Sequence, residues 1–88
     1  MARPKKSREI QKTPRCLEFV PGISTCFEKV ILNLEELEAI RLHDLLGLEQ
    51  KKSATQMNIS QPTFHRILVS GRKKIADALI NAKQIIIS

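Results

Sequence analysis

From Ser60 to Ala82 apolar or small side chains recur at Phe64, Ile67, Leu68, Gly71, Ile75, Ala78, Leu79 and Ala82. This spacing puts all eight on one face of a helix, and it constrains the fold more than any other feature of the chain. Ser60 is the natural N-cap. Pro62 is tolerated beside it, because the first helical turn makes no use of the N–H that proline lacks. The pattern predicts a helix reaching about Ala82. Glycine inside a helix costs about 1 kcal/mol relative to alanine, so Gly71 leaves open two shorter helices joined at a bend.

Upstream, Asn33 followed by Glu36 fits an N-cap with its reciprocal acid three residues on. The spacing predicts a helix from Leu34 to about Leu46, stopped by Gly47. Its apolar residues Leu34, Leu37, Ile40, Leu42, Leu45 and Leu46 cover a broad arc, so more than one neighbour should pack on it, a second chain among the candidates. A shorter helix is expected from about Glu49 to Met57, broken at Asn58-Ile59. Leu17, Phe19 and Val20, the turn signal Pro21-Gly22, and Lys29 to Leu32 read as short strands. Gln84 to Ile87, rich in β-branched side chains, reads as another, pairing with Lys29 to Leu32 or with a partner chain.

A chain of 88 residues buries one modest core. The expected fold is mainly α, with three or four helices and short N- and C-terminal β-strands. Residues 16–88 form the single domain. Residues 1–15 contain Pro4 and Pro14 without hydrophobic periodicity and read as a flexible arm.

Charge divides the chain in the same way. Residues 1–15 carry six Lys or Arg against Glu9, residues 16–49 two against seven acids, and residues 50–88 seven against Asp77. Two basic segments thus flank an acidic one, as expected where only part of a surface faces phosphates. No apolar run approaches the roughly 20 residues that span a bilayer, and the N-terminus lacks the apolar centre of a signal peptide, so no membrane association and a cytoplasmic location are expected. Cys16 and Cys26 are then free thiols. Their spacing lacks the close pairing of zinc sites, which argues against a metal or redox sensor built from them with His43 or His65. No metal and no cofactor are expected. Glu35, Glu36 and Glu38 sit in the first turns of a helix, where the helix dipole accounts for them. Without a phosphate-cradling Gly-rich loop or a nucleophile with an identifiable base, the chain is not expected to be an enzyme.

The segment from Gln50 to Leu68 has the spacing of a helix-turn-helix. Ala54 is small where two helices would cross, Met57 and Ile59 bracket the turn, and Phe64 and Ile67 anchor the second helix. Asn58 stands where a left-handed backbone suits Gly or Asn. Opposite the core stripe of the second helix lie Pro62, Arg66, Val69 and Lys73, flanked by Thr63, His65 and Ser70. In such a motif the start of the second helix enters the major groove of duplex DNA, making Gln61, Thr63, His65 and Arg66 the base-reading candidates. Arg66 could donate two bonds to guanine and Gln61 could pair with adenine. Ser60 presents helix N-terminal N–H groups to phosphate. Lys51, Lys52, Arg72, Lys73 and Lys74 are assigned to the backbone, as are Arg3, Lys5, Lys6 and Arg8 of the arm. RNA is a weaker partner, since no aromatic platform is visible. A homodimer is expected, because two recognition helices would match two half-sites.

MARPKK at the start, LEELEAIRL from Leu34 to Leu42, and ISQPTFHRIL leading into RKKIADAL from Arg72 to Leu79 resemble a family of small, largely uncharacterised bacterial and archaeal proteins described as DNA-binding. The family's helix-turn-helix is similar to the promoter-reading fourth region of sigma factors. The resemblance covers nearly the whole chain. It implies duplex DNA binding, transcription regulation, and the same four contacting residues, with RNA polymerase as a further partner if the module acts as a sigma-like adaptor. Ser7 and Gln61-Pro62 stand where members of the family often carry Cys and Arg, so neither base preference nor a cysteine-based role transfers.

Overall fold

The computed structural model describes residues 17–22 and 28–88. The arm with Arg3, Lys5, Lys6 and Arg8, together with Cys16 and Cys26, lies outside the described residues. In order, the elements are β1 (Glu18–Phe19), β2 (Lys29–Leu32), α1 (Leu34–Ile40), α2 (Gln50–Gln56), α3 (Gln61–Asn81) and β3 (Gln84–Ile87). The fold is mainly α with short strands at both ends of the described chain.

The C-terminal strand is central. β3 pairs antiparallel with β1 and parallel with β2, setting Val30 beside Ile85 and Leu32 beside Ile87. A parallel pair needs a long crossover, and here the three helices between β2 and β3 supply it. β3, which reads Gln-Ile-Ile-Ile, thus pairs with Lys29–Leu32 of its own chain, the first of the two pairings its composition left open.

α1 starts with a reciprocal cap. The Glu36 N–H donates to Asn33 Oδ1 at 2.8 Å, and the Asn33 N–H donates to Glu36 Oε1 at 3.0 Å. The helix then widens: residues Arg41–Leu45 form a π-helical turn, closed by the Leu46 N–H on the Arg41 carbonyl at 2.9 Å. Gly47 takes φ +77° and ends it, as its position predicts. Leu45 and Leu46 face outward at 76% and 53% exposure, so the broad apolar arc of this helix is only partly covered within the chain.

The core lies where α1, α2 and α3 meet. Ala39, Leu42, Ala54, Met57, Phe64 and Leu68 form one buried cluster, with Ile40, Leu48, Ile59 and Ile67 packed against it. His43 closes one edge, its Nδ1 donating to the Leu48 carbonyl at 2.7 Å and its ring meeting Phe64 edge-on. α3 runs unbroken through Gly71, which settles the alternative of a bend. A Cβ on Gly71 would lie 3.0 Å from Ile40 Cδ1 and 3.1 Å from Glu36 Cβ, so the residue is there for the close approach of α1.

One part of the predicted stripe fails. Phe64, Leu68, Gly71 and Ala78 are buried, but Leu79 is 74% exposed and Ala82 sits past the helix end with φ +54°. Toward its C-terminal end α3 leaves α1 for the sheet, and Ala78 lies on the side of Phe19 and Ile85. Leu79, rotated by about 100° from Ala78, stands at the margin of that side. It lines a shallow apolar groove with Phe19, Val20, Pro21 and Ile85.

Candidate nucleic-acid interface

The link between α2 and α3 is short and locally determined. Asn58 takes φ +61°, the left-handed conformation expected of it, and the Ile59 N–H reaches back to the Ala54 carbonyl at 3.0 Å. Ser60, extended at φ −72° and ψ 157°, caps α3 by accepting from the Thr63 N–H at 3.3 Å. Pro62 lies in the first turn. Phe64 and Leu68 are buried on the inner face of this part of α3, while Gln61, Pro62, His65, Arg66 and Val69 are exposed on the other. Thr63 is half-buried at the margin.

These polar side chains are organised rather than merely solvated. The Ser60 hydroxyl donates to Thr63 Oγ1 at 2.9 Å, and Arg66 Nη2 donates to the same oxygen at 3.4 Å. Thr63 therefore holds the Arg66 guanidinium toward the start of the helix. On the neighbouring side of α3, His65 Nδ1 lies 3.2 Å from Oε1 of Gln50, the first residue of α2. Three of the four expected base readers thus have fixed partners or serve as one, and Gln61 stands exposed at the tip.

The cations separate into two groups. Lys51 and Lys52, in the first turn of α2, and Lys73, about 10 Å along α3 from Arg66, are exposed. Arg72 and Lys74, expected on phosphate, are used otherwise. Arg72 forms a two-pronged pair with Asp44, Nε to Oδ2 at 3.0 Å and Nη2 to Oδ1. The Arg72 hydrogen bonds and charge hold the Asp44 carboxyl below its ordinary range, against a smaller upward push from burial, while Asp44 in turn raises the guanidinium. Lys74 Nζ reaches Glu36 Oε1 at 2.9 Å. Glu36 itself is 3% exposed, and its Oε2 accepts from the Ser70 hydroxyl at 2.5 Å. Burial pushes its carboxyl up, but bonds from Ser70, the Asn33 N–H and Lys74 outweigh that and hold it below the ordinary carboxylate range. Lys74 thereby clamps α3 to α1, so a phosphate at this position would compete with Glu36 for its ammonium. The position of Lys74 on the flank of the core stripe, beside the α1 crossing, is the physical reason.

Sequence reasoning did not find Gln50. Its signal is positional: once the turn length between α2 and α3 is fixed, the start of α2 comes to lie beside the second turn of α3. Among the described residues no group of three His, Cys, Asp or Glu could hold a metal, and no helix is long and apolar enough to cross a membrane.

The family described as "Protein of unknown function DUF134" matches residues 1–88. The UPF0251 protein TTE1845 of Caldanaerobacter subterraneus subsp. tengcongensis is 54% identical over 87 residues, spanning 97% of this chain and 74% of that protein. A UPF0251 protein of Thermoanaerobacter sp. strain X514 is 51% identical over 97% of this chain and 77% of its own length. One from Dehalococcoides mccartyi strain BAV1 is 53% identical over 94% of this chain and 73% of its own. No solved structure matches the chain. With the family pattern running from the first residue to the last and half the positions shared with these bacterial proteins, the chain belongs to the DUF134 family.

Proposed function

We propose that this protein binds duplex DNA sequence-specifically through a sigma region-four-like helix-turn-helix formed by α2, the Asn58 turn and α3, and that it acts as a non-enzymatic regulator of transcription. One observation carries the reading. The first turns of α3 are bolted to the core by Phe64 and Leu68 while Gln61, His65 and Arg66 stand exposed on the opposite side, the geometry needed to enter a major groove about 12 Å wide. Arg66, braced by Thr63, reads guanine; Gln61 reads adenine. Ser60, Lys51, Lys52 and Lys73 meet phosphates, joined by Arg3, Lys5, Lys6 and Arg8 from the arm. Arg72 contributes only what its pairing with Asp44 leaves. A homodimer belongs to the reading, supported by the exposed apolar residues Leu79 and Ile80 at the far end of α3 from the reading surface.

Salt separates this reading from nonspecific stickiness and from a purely protein-binding adaptor. Lys51→Ala combined with Lys52→Ala should weaken duplex binding evenly across sequences and reduce the slope of log affinity against log salt by about 2, roughly 0.9 for each phosphate no longer neutralised. Fluorescence anisotropy over a salt series, with RNA as competitor, measures it. Unchanged slopes, or preference for RNA, would count against the assignment.

A further inference from the structure

We propose that Gln50 is a positioning residue: it fixes the proton of the His65 ring on Nδ1, so that Nε2 faces the groove as an acceptor and selects a base carrying an exocyclic amine, adenine or cytosine. The inference rests on the duplex-reading function proposed above and names the chemistry that one of its contacts recognises.

His65 Nδ1 and Gln50 Oε1 stand 3.2 Å apart. An amide oxygen has no hydrogen to give, so the ring nitrogen donates and Gln50 accepts. With the proton on Nδ1, the uncharged ring has its lone pair on Nε2, on the side of the ring turned away from Gln50. His65 is exposed and Gln50 half-buried, so their contact lies at the surface, beside the outward face of α3. In the major groove, donors are supplied by the amines of adenine N6 and cytosine N4, whereas guanine and thymine offer acceptors at the corresponding edge. An Nε2 lone pair therefore favours adenine or cytosine and disfavours guanine and thymine. Gln50 is the first residue of α2, a different element from the one that reads, so the bond also fixes how far the ring can swing on its exposed helix. Arg66 is held separately by Thr63, so the two base contacts are set by different partners and should respond to different substitutions.

Two measurements test this. Nitrogen-15 NMR of the His65 ring in the free protein, at a pH where the ring is uncharged, should show the proton on Nδ1, and Gln50→Ala should shift it toward Nε2. Alanine is a good helix former, so this variant should keep its fold. Selection of bound duplexes from a random pool should then yield, for the wild type, one position occupied by adenine or cytosine that loses its preference in both Gln50→Ala and His65→Ala. The positions that respond to Arg66→Ala should remain unchanged in Gln50→Ala. Where that base is adenine, replacing it by purine, which lacks the amine, should weaken wild-type binding roughly three- to tenfold and leave Gln50→Ala unaffected. A ring proton on Nε2 in the wild type, or an unchanged selected pool for Gln50→Ala in a protein whose pool does respond to Arg66→Ala, overturns the role of Gln50 alone. Failure of the wild type to select any duplex overturns it together with the function on which it rests.

Discussion

Phe64→Ala should lower the stability of the domain by about 3–5 kcal/mol, the cost of emptying a fully buried aromatic site. Phe64 has no exposed surface and sits in the cluster shared by α1, α2 and α3, with the His43 ring against its edge. A domain of this size has roughly 5–10 kcal/mol to lose, so the variant should be largely unfolded on modest warming. Urea titration followed by circular dichroism reads the effect. A loss below about 1 kcal/mol would mean that Phe64 is not the anchor of α3, and the proposed reading surface on the other side of the helix would lose its support.

Glu36→Ala should cost roughly 2–3 kcal/mol by a different route, because one carboxylate serves three partners. It closes the cap of α1, accepts from Ser70 and pairs with Lys74. Loss of a cap costs about 1 kcal/mol, and a partly buried donor left without its acceptor costs about as much again. The Lys74 ammonium, about one-third exposed, can turn to water, which keeps the total below that of breaking a fully buried ion pair. The same carboxylate makes the fold acid-sensitive. Its pKa is lower in the folded chain than in the unfolded one, so its stabilisation is complete above the ordinary glutamate value and is lost as pH falls through the folded value. Asp44 acts in the same direction through Arg72. Glu36→Gln should therefore be less stable than the wild type at neutral pH and lose less on acidification below about pH 4. Parallel acid-limb melting curves would contradict this.

What the sequence reveals and what it conceals follow one physical line. Features set by residues within one turn of one another are legible: the Asn33–Glu36 cap, the Gly47 stop, the left-handed Asn58 and the Ser60 cap all stand where spacing places them. The β-branched run at Gln84–Ile87 is legible as a strand, although whether it would pair with β2 or with another chain is not. Features that depend on how elements cross are hidden. Gly71 reads as a weak point in a helix until α1 is seen to pass over it. Lys74 reads as one more surface cation, and Leu79 as the next residue of a core stripe, because hydrophobic periodicity does not say where one packing partner gives way to another. Glu36 is recognisable as a cap residue, but its links to Ser70 and Lys74 span 34 and 38 positions and have no local signature. The pairing of Gln50 with His65, across 15 positions and a turn, belongs to the same class. Within the candidate interface, helical phase makes the exposed residues readable, whereas which of them are braced, and by what, has no trace in the sequence.

The most direct test of the central claim compares sequences selected by the wild type and by Arg66→Ala from a random duplex pool at fixed salt. The wild type should enrich a defined site, two-fold symmetric if the homodimer forms. Arg66→Ala, with the fold intact by circular dichroism, should abolish the preference for guanine at one position in each half while leaving the rest of the site recognisable. A wild-type pool that remains random, or an identical site selected by both proteins, would contradict the duplex-reading function.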